Sequence, residues 1–313
     1  MDCPASPRSR DPLTALRLVL RSVEAIGDVR ALSVLLGTFA MTGLLLAMAE
    51  TALARQPAWW GGALAAAALF VAFYGGNAAG ILVMDAARDR PVREIVEALR
   101  SSLLSAHRLL LALLILLAGY AAAAALLLGL LWLCRADVLG TVAGPLLFGL
   151  VVPLGVLAVG LAALSLVAVV VPLAAPGVWA GAGVMEVVRD LVGLVRHRLL
   201  AVALLMALVS LLTAGVGALA SFVVLVGGRV IAALGVAVVG VDVPARELMG
   251  GLFGYGLRSF GAAGAPLGST AHTGAALVGG GVVFALALVL PGLVYLRGTC
   301  AVYLAMCEAG RGP

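Results

Sequence analysis

The sequence predicts an all-α integral membrane protein with six transmembrane helices, arranged as three hairpins that each follow a cytoplasmic amphipathic helix. Three observations carry this reading. Residues 138–185 contain no Asp, Glu, Lys or Arg, about twice the length of roughly 20 apolar residues that crosses a bilayer core. Of the 313 residues, 64% are hydrophobic and 11% charged, against about a quarter charged in a soluble domain. All 20 basic residues are arginines, and they cluster between the apolar runs. Spanning segments in lipid are either helices or closed barrels. These runs are continuous rather than alternating, so they read as helices.

Residues 1–10 form a polar tail, 11–308 one transmembrane domain, and 309–313 a short C-terminal tail. The first amphipathic segment is 11–30. Asp11 is placed as an N-cap and Pro12 as a first helical residue. Thr14, Arg17, Arg21, Glu24 and Asp28 share one stripe, and Leu13, Leu16, Leu20 and Val23 another. The first span is 31–49, closed by Glu50. Ala47-Met48-Ala49 resembles a leader cleavage site, but about thirty residues precede the apolar run, longer than a usual leader. An uncleaved helix is expected. The second span is 59–84, closed by Asp85.

The second amphipathic segment is 90–108. Arg93, Glu97 and Arg100 lie on its polar side, and Val92, Ile95, Val96, Leu99 and Leu103 on its apolar side. Span three is 109–134. Span four, 146–172, lies in the uncharged stretch, where Pro153, Pro172 and Pro176 leave open two short segments. The third amphipathic segment is 184–198. Glu186, Arg189, Asp190, Gly193 and His197 face one way; Val184, Val187, Val188, Leu191 and Val195 face the other. Span five is 199–228. Apolar residues 230–241 are too short to cross and read as interfacial or re-entrant. Span six is 274–296, with helix expected to reach Met306.

The arginines orient the chain. Arg8, Arg10, Arg17, Arg21, Arg30, Arg88, Arg90, Arg93, Arg100, Arg108, Arg189, Arg196, Arg198, Arg297 and Arg311 fall in segments on one side. Arg55, Arg135, Arg229, Arg246 and Arg258 fall on the other. The positive-inside rule then puts both termini in the cytoplasm of a cell inner membrane. Trp59, Trp60 and Trp132 would mark the outer interface and Trp179 the inner one. The net charge of +5 belongs to these flanks, so nucleic acid is not an expected partner. Membrane lipids are, and a protein partner in a membrane complex is a further expectation.

Each amphipathic segment ends in an arginine that opens a span. His107-Arg108-Leu109-Leu110 and His197-Arg198-Leu199-Leu200 are identical strings. All three copies begin on the cytoplasmic side, so the repeat is parallel rather than inverted. The string Val184-Met185-Glu186-Val187-Val188-Arg189-Asp190-Leu191-Val192-Gly193-Leu194-Val195-Arg196-His197-Arg198 resembles the segment that precedes a span in several bacterial multi-spanning membrane families. Among these is the membrane domain attached to some glycerophosphodiester phosphodiesterases. The resemblance covers about half the chain and implies the multi-pass fold. It lacks the serine-tryptophan pair often seen in that segment. It carries over no catalytic residue, because no phosphodiesterase motif accompanies it.

Intramembrane ionisable groups are the usual pointer to chemistry, and the predicted spans hold none near their middles. Lipid- or partner-binding candidates are Arg93, Arg100, His107, Arg108, Arg189, Arg196, His197 and Arg198. Gly76, Asn77 and Gly80 are helix-packing candidates, with the two glycines forming a small-xxx-small face. Ser165, Ser210 and Thr213 are expected to bond back to their own helices. Cys3, Cys134, Cys300 and Cys307 lack metal-site spacing, and Cys300 and Cys307 lie too far apart along a helix for a disulfide. His272 has no ligand partners near it in sequence, and Asp242, Arg246 and Glu247 sit with Gly250, Gly251, Gly254 and Gly256 in a loop without a phosphate-loop lysine. No cofactor or metal is expected. The sequence therefore favours a non-enzymatic inner-membrane scaffold or complex subunit. The alternative is a transporter or lipid-handling channel, using the breaks at Pro153, Pro172 and Pro291 to form a site between hairpins.

Overall fold

A computed structural model describes residues 19–55, 58–134, 136–234, 237–238 and 271–310. The described chain is helical almost throughout. A 3-10 turn, Arg21–Gly27, precedes α1 (Val29–Arg55), α2 (Ala58–Ala87), α3 (Ile95–Leu133) and α4 (Ala136–Ser165). A π turn, Leu166–Val170, joins α4 to α5 (Val171–Trp179), and α6 (Val184–Leu234) and α7 (Ala271–Gly310) follow. Six stretches are long and apolar enough to cross a membrane: Val29–Leu53, Ala58–Ala87, Ile95–Leu133, Val142–Trp179, Val184–Ile231 and Val282–Met306. Each overlaps one of the six spans read from the sequence, but the third and fifth also take in most of the second and third amphipathic segments, and the sixth runs on to Met306. The chain is a multi-pass membrane protein by that measure.

Several sequence expectations are refined. The uncharged stretch holds one long crossing rather than two short ones. Its π turn ends at Val170, two residues before Pro172, whose missing N–H and bulky ring disrupt regular α-helical bonding to the residue four back. Residues 230–234 simply prolong α6, and α7 runs unbroken through Pro291 to Gly310. Arg297 therefore lies inside a helix, as the expected extension to Met306 required. Trp179 is buried instead of presented at an interface, whereas Trp59 and Trp60 are exposed and stacked 4.5 Å apart. Residues 11–18, which include Asp11 and Pro12, and the loop bearing Asp242, Arg246 and Glu247 lie outside the described residues.

Contacts divide the chain into two units, each described by itself. One comprises Leu20–Ser102 and Val209–Gly298. Here α1 and α2 are antiparallel: a Cβ on Gly61 would meet Leu53, and one on Gly75 would strike the Thr38 side chain. Gly61, Ala68, Gly75 and Leu82, seven apart, are all buried, so one seam of mostly small residues faces α1. The later part of α6 runs antiparallel to α7, with Val209 against Gly298 and Gly217 against Pro291. Gly292 of α7 approaches Leu35 of α1.

The other unit comprises Met1–Val19, Leu103–Leu208 and Thr299–Pro313. In it α4 returns along α3: Gly155 packs on Leu127, and the Tyr120 hydroxyl lies 2.6 Å from Ser165 Oγ. Ser165 also donates to its own helix at Ala162 O, 2.8 Å away. Gly177 of α5 leaves room for Val187 of α6 and Tyr303 of α7. Exposed Leu, Val, Phe and Ile side chains cover much of the first, third, fourth and fifth crossings, as an acyl-chain solvent requires and water would not tolerate.

The two turns that lead into α3 and α6 are closed alike. Arg90 N–H donates to Asp85 O at 3.1 Å and Asp89 N–H to Ala86 O at 3.3 Å, with Asp89 at φ 53°. Ala182 N–H donates to Gly177 O at 3.2 Å and Gly181 N–H to Val178 O at 2.9 Å, with Gly181 at φ 89°. Both are Schellman closures with a left-handed residue just past the helix end. Beyond each, a new helix opens: Glu94 O accepts from Ala98 N–H, and Gly183 O from Val187 N–H, both at 2.9 Å. Glu97 and Glu186 then stand at the third helical position, each followed three residues later by Arg100 or Arg189.

The identical His-Arg-Leu-Leu strings nevertheless adopt different backbones. α3 carries its copy through Arg108 within one helix, whereas α6 breaks at Arg198 (φ −141°, ψ 21°). The cause is a one-residue difference in spacing. Six residues separate Arg100 from His107, and seven separate Arg189 from His197. An extra residue turns a helix by about 100°. Before the break, burial follows the glutamate register: Ala98 and Ser102 in α3, Val187 and Leu191 in α6. After it, burial follows the His-Arg-Leu-Leu register: Ala112 and Leu116 in α3, Val202 and Met206 in α6. The break at Arg198 absorbs the surplus residue and keeps both halves in phase.

Candidate functional site

The most concentrated polar chemistry lies where α2 ends and α3 begins. Asp85, in the last turn of α2, is only 4% exposed. A carboxylate there opposes the negative end of the helix dipole, so it needs a cation. Arg93 supplies it. Its Nε lies 3.0 Å from Oδ2, and its Nη2 donates to Oδ1 at 3.3 Å. Oδ2 receives no well-directed hydrogen bond, so this half of the contact is an ion pair by distance alone. Arg93 Nη1 also donates to Ser101 Oγ at 3.3 Å. Ser102, fully buried, donates to Tyr74 O at 2.7 Å. Arg30 Nη1 donates to Val92 O at 2.9 Å. Asp28 Oδ1 accepts from Arg30 and Ala31 N–H at 3.2 and 3.3 Å, capping α1. These bonds lock the entry of α1, the end of α2 and the start of α3 into one polar clasp.

Arg93, expected to bind lipid or a partner, is paired within the protein with Asp85. Asp85 is the residue that sequence reasoning missed, because it stands where a span is expected to end. The signal was present: an acidic residue in the last turn of an apolar helix, eight positions before an arginine.

The other basic candidates divide clearly. Arg100, His107, Arg108, Arg189, Arg196 and His197 are exposed, and none makes a hydrogen bond or ion pair among the described residues. Arg198 is half-buried and engaged. In α3, the apolar stripe is not the packed face. Ala98, Ser102, Ala106 and Leu109 are buried, whereas Ile95, Val96, Leu99 and Leu103 are exposed. The small residues pack, and the bulky apolar ones face the surroundings. In α6, Val187 and Leu191 of the apolar stripe are buried.

The packing candidates are also redistributed. Asn77 is buried and donates from Nδ2 to Phe73 O of its own helix at 2.8 Å. Gly80 is buried, but a Cβ on Gly76 would meet nothing within 4 Å. The close approach belongs to Gly75, one residue away, which is about 100° around the helix. Thr213 bonds back to Val209 O at 2.8 Å, as expected. Among the described residues no three His, Cys, Asp or Glu side chains gather as a metal site.

Compared with known proteins, the chain matches no family model, no curated protein and no solved structure.

Proposed function

We propose that this chain is a non-enzymatic inner-membrane scaffold or complex subunit, built from three antiparallel helix pairs that are each entered from a cytoplasmic amphipathic turn. The single observation that supports it most is the placement of its charge. The buried ion pair of Asp85 and Arg93 closes a turn, and the unengaged arginines stand on exposed helix surfaces beside exposed apolar side chains. A transport pathway usually needs ionisable or unpaired polar groups at mid-membrane depth. The matched Schellman turns, and the Glu-x-x-Arg strings behind them, support a parallel internal repeat. The resemblance to bacterial multi-spanning families fits the same reading.

Two measurements test it. Impermeant thiol labelling of intact cells should reach Cys134 and not Cys3. Purification from native membranes in mild detergent should recover a stoichiometric protein partner. A monodisperse, partner-free protein that moves lipid or solute across liposomes would overturn the scaffold reading. One observation favours that second reading, a lipid-handling channel: the Tyr120–Ser165 hydroxyl pair lies beside the π turn of the fourth crossing, and such turns often accompany function.

A further inference from the structure

The segment of α6 before Arg198 is docked to the protein by one face and presents another that nothing described covers. Val187, Leu191 and Leu194 form the docked face, with Val187 against the place where a Cβ on Gly177 would sit, beside Tyr303. The opposite side carries Met185 (63% exposed), Arg189, Val192 (40% exposed), Arg196 and His197. Arg189 and Arg196 are seven apart, so they stand on one stripe two turns, or about 10 Å, apart. Neither is engaged by a carboxylate among the described residues. Glu186, one turn before Arg189, accepts through its Oε2 from Gly183 N–H at 3.4 Å. The helix then breaks at Arg198, and the next exposed side chain along the chain is Leu200.

Water would favour the two arginines and disfavour Met185, Val192 and Leu200. A hydrocarbon environment would do the reverse. Only the boundary between them accommodates both, and there the cations need anions. Resting on the inner-membrane reading above, we propose that this face of α6 is a binding site for an anionic phospholipid: Arg189 and Arg196 hold the headgroup phosphate while Met185 and Val192 receive the acyl chains. The charge complementarity fixes the class of lipid. The exposed Met185 and Val192 on the same face as the arginines distinguish a lipid from a soluble phosphate.

The test uses the full chain purified in mild detergent and titrated with phosphatidylglycerol or phosphatidylcholine, with bound lipid counted by native mass spectrometry. Wild type should retain phosphatidylglycerol in preference to phosphatidylcholine. Replacing both arginines (R189Q with R196Q) should weaken phosphatidylglycerol binding about thirtyfold, and each single change about fivefold. The conservative pair R189K and R196K should keep most of the preference, and matched thermal unfolding shows which variants remain folded. Equal retention of the two lipids by wild type, or an unchanged ratio in a folded Gln variant, overturns the proposal. Displacement of lipid by millimolar inorganic phosphate, with Met185→Ser and Val192→Ser without effect, would mean a soluble-anion site and also overturn it. So would loss of a stoichiometric protein partner from the Gln variant while lipid preference stays constant. Lipid preference is read in detergent whatever the orientation. Inverted thiol labelling would therefore sink the cytoplasmic reading without touching this measurement.

Discussion

Removing Arg93 and removing Asp85 should have unequal effects, although the two residues form one pair. Arg93→Met leaves Asp85 as an acidic group 4% exposed at the negative end of a helix, with its cation gone and the hydrogen bond to Ser101 broken as well. Breaking a fully buried pair in this way costs about 3–5 kcal/mol. The arginine side chain is 34% exposed, so solvent already screens the pair, and about 2 kcal/mol is the working figure. Asp85→Asn leaves Arg93 able to reach water and keep Ser101, and should cost about 1 kcal/mol or less. The double variant, Asp85→Asn with Arg93→Met, removes the stranded carboxylate and should be more stable than Arg93→Met alone. In thermal unfolding followed by tryptophan fluorescence in detergent, Arg93→Met should lower Tm by roughly 4 °C, and the double variant should recover part of that. Equal losses from the two single changes, or a double variant that falls by their sum, would refute the view that the clasp shields a buried carboxylate.

Other expectations follow from the same structure. Gly75→Ala should destabilise by about 1–3 kcal/mol, because its Cβ would strike Thr38, and Thr38→Ala should restore part of the loss. Gly76→Ala, which meets nothing, should be neutral or stabilising by about 0.5–1 kcal/mol; equal thermal shifts would place the seam wrongly. Asp89→Gly should stabilise by about 1 kcal/mol in the same assay by relieving a left-handed residue, whereas Asp89→Val should destabilise. Deleting Gly193 would give α6 the spacing of α3. Spin-label distances across Arg198 should then lengthen to those of a continuous helix, and an unchanged distance would separate the break from residue count.

The crossings were legible because their signal is compositional: long runs without charge have one physical solution in lipid. Ser165 and Thr213 were legible as helix-bonded polar groups for a similar reason, since a hydroxyl in hydrocarbon turns to the nearest carbonyl. What failed depended on rotation about a helix axis. Gly76 and Gly75 are equally small, and only the packing against Thr38 picks out the second. Periodicity marks the apolar stripe of α3 without saying whether it meets protein or lipid. In a bilayer the bulky residues can face out, and Ala98, Ser102 and Ala106 pack instead. Asp85 was hidden by its position at a predicted boundary. Identical His-Arg-Leu-Leu strings could not reveal that one would bend, because the cause lies in a count of residues upstream.

The two Schellman turns are closed by main-chain bonds, so side-chain identity there is free to drift: one turn uses aspartate at its left-handed residue, the other glycine. A distant cousin of this protein would therefore be easier to recognise by a fingerprint of backbone states than by letters. The pattern to look for is a left-handed residue after a buried helix end, a fresh helix start, glutamate in its first turn and arginine one turn on. Alignment by residue identity alone would pass over it.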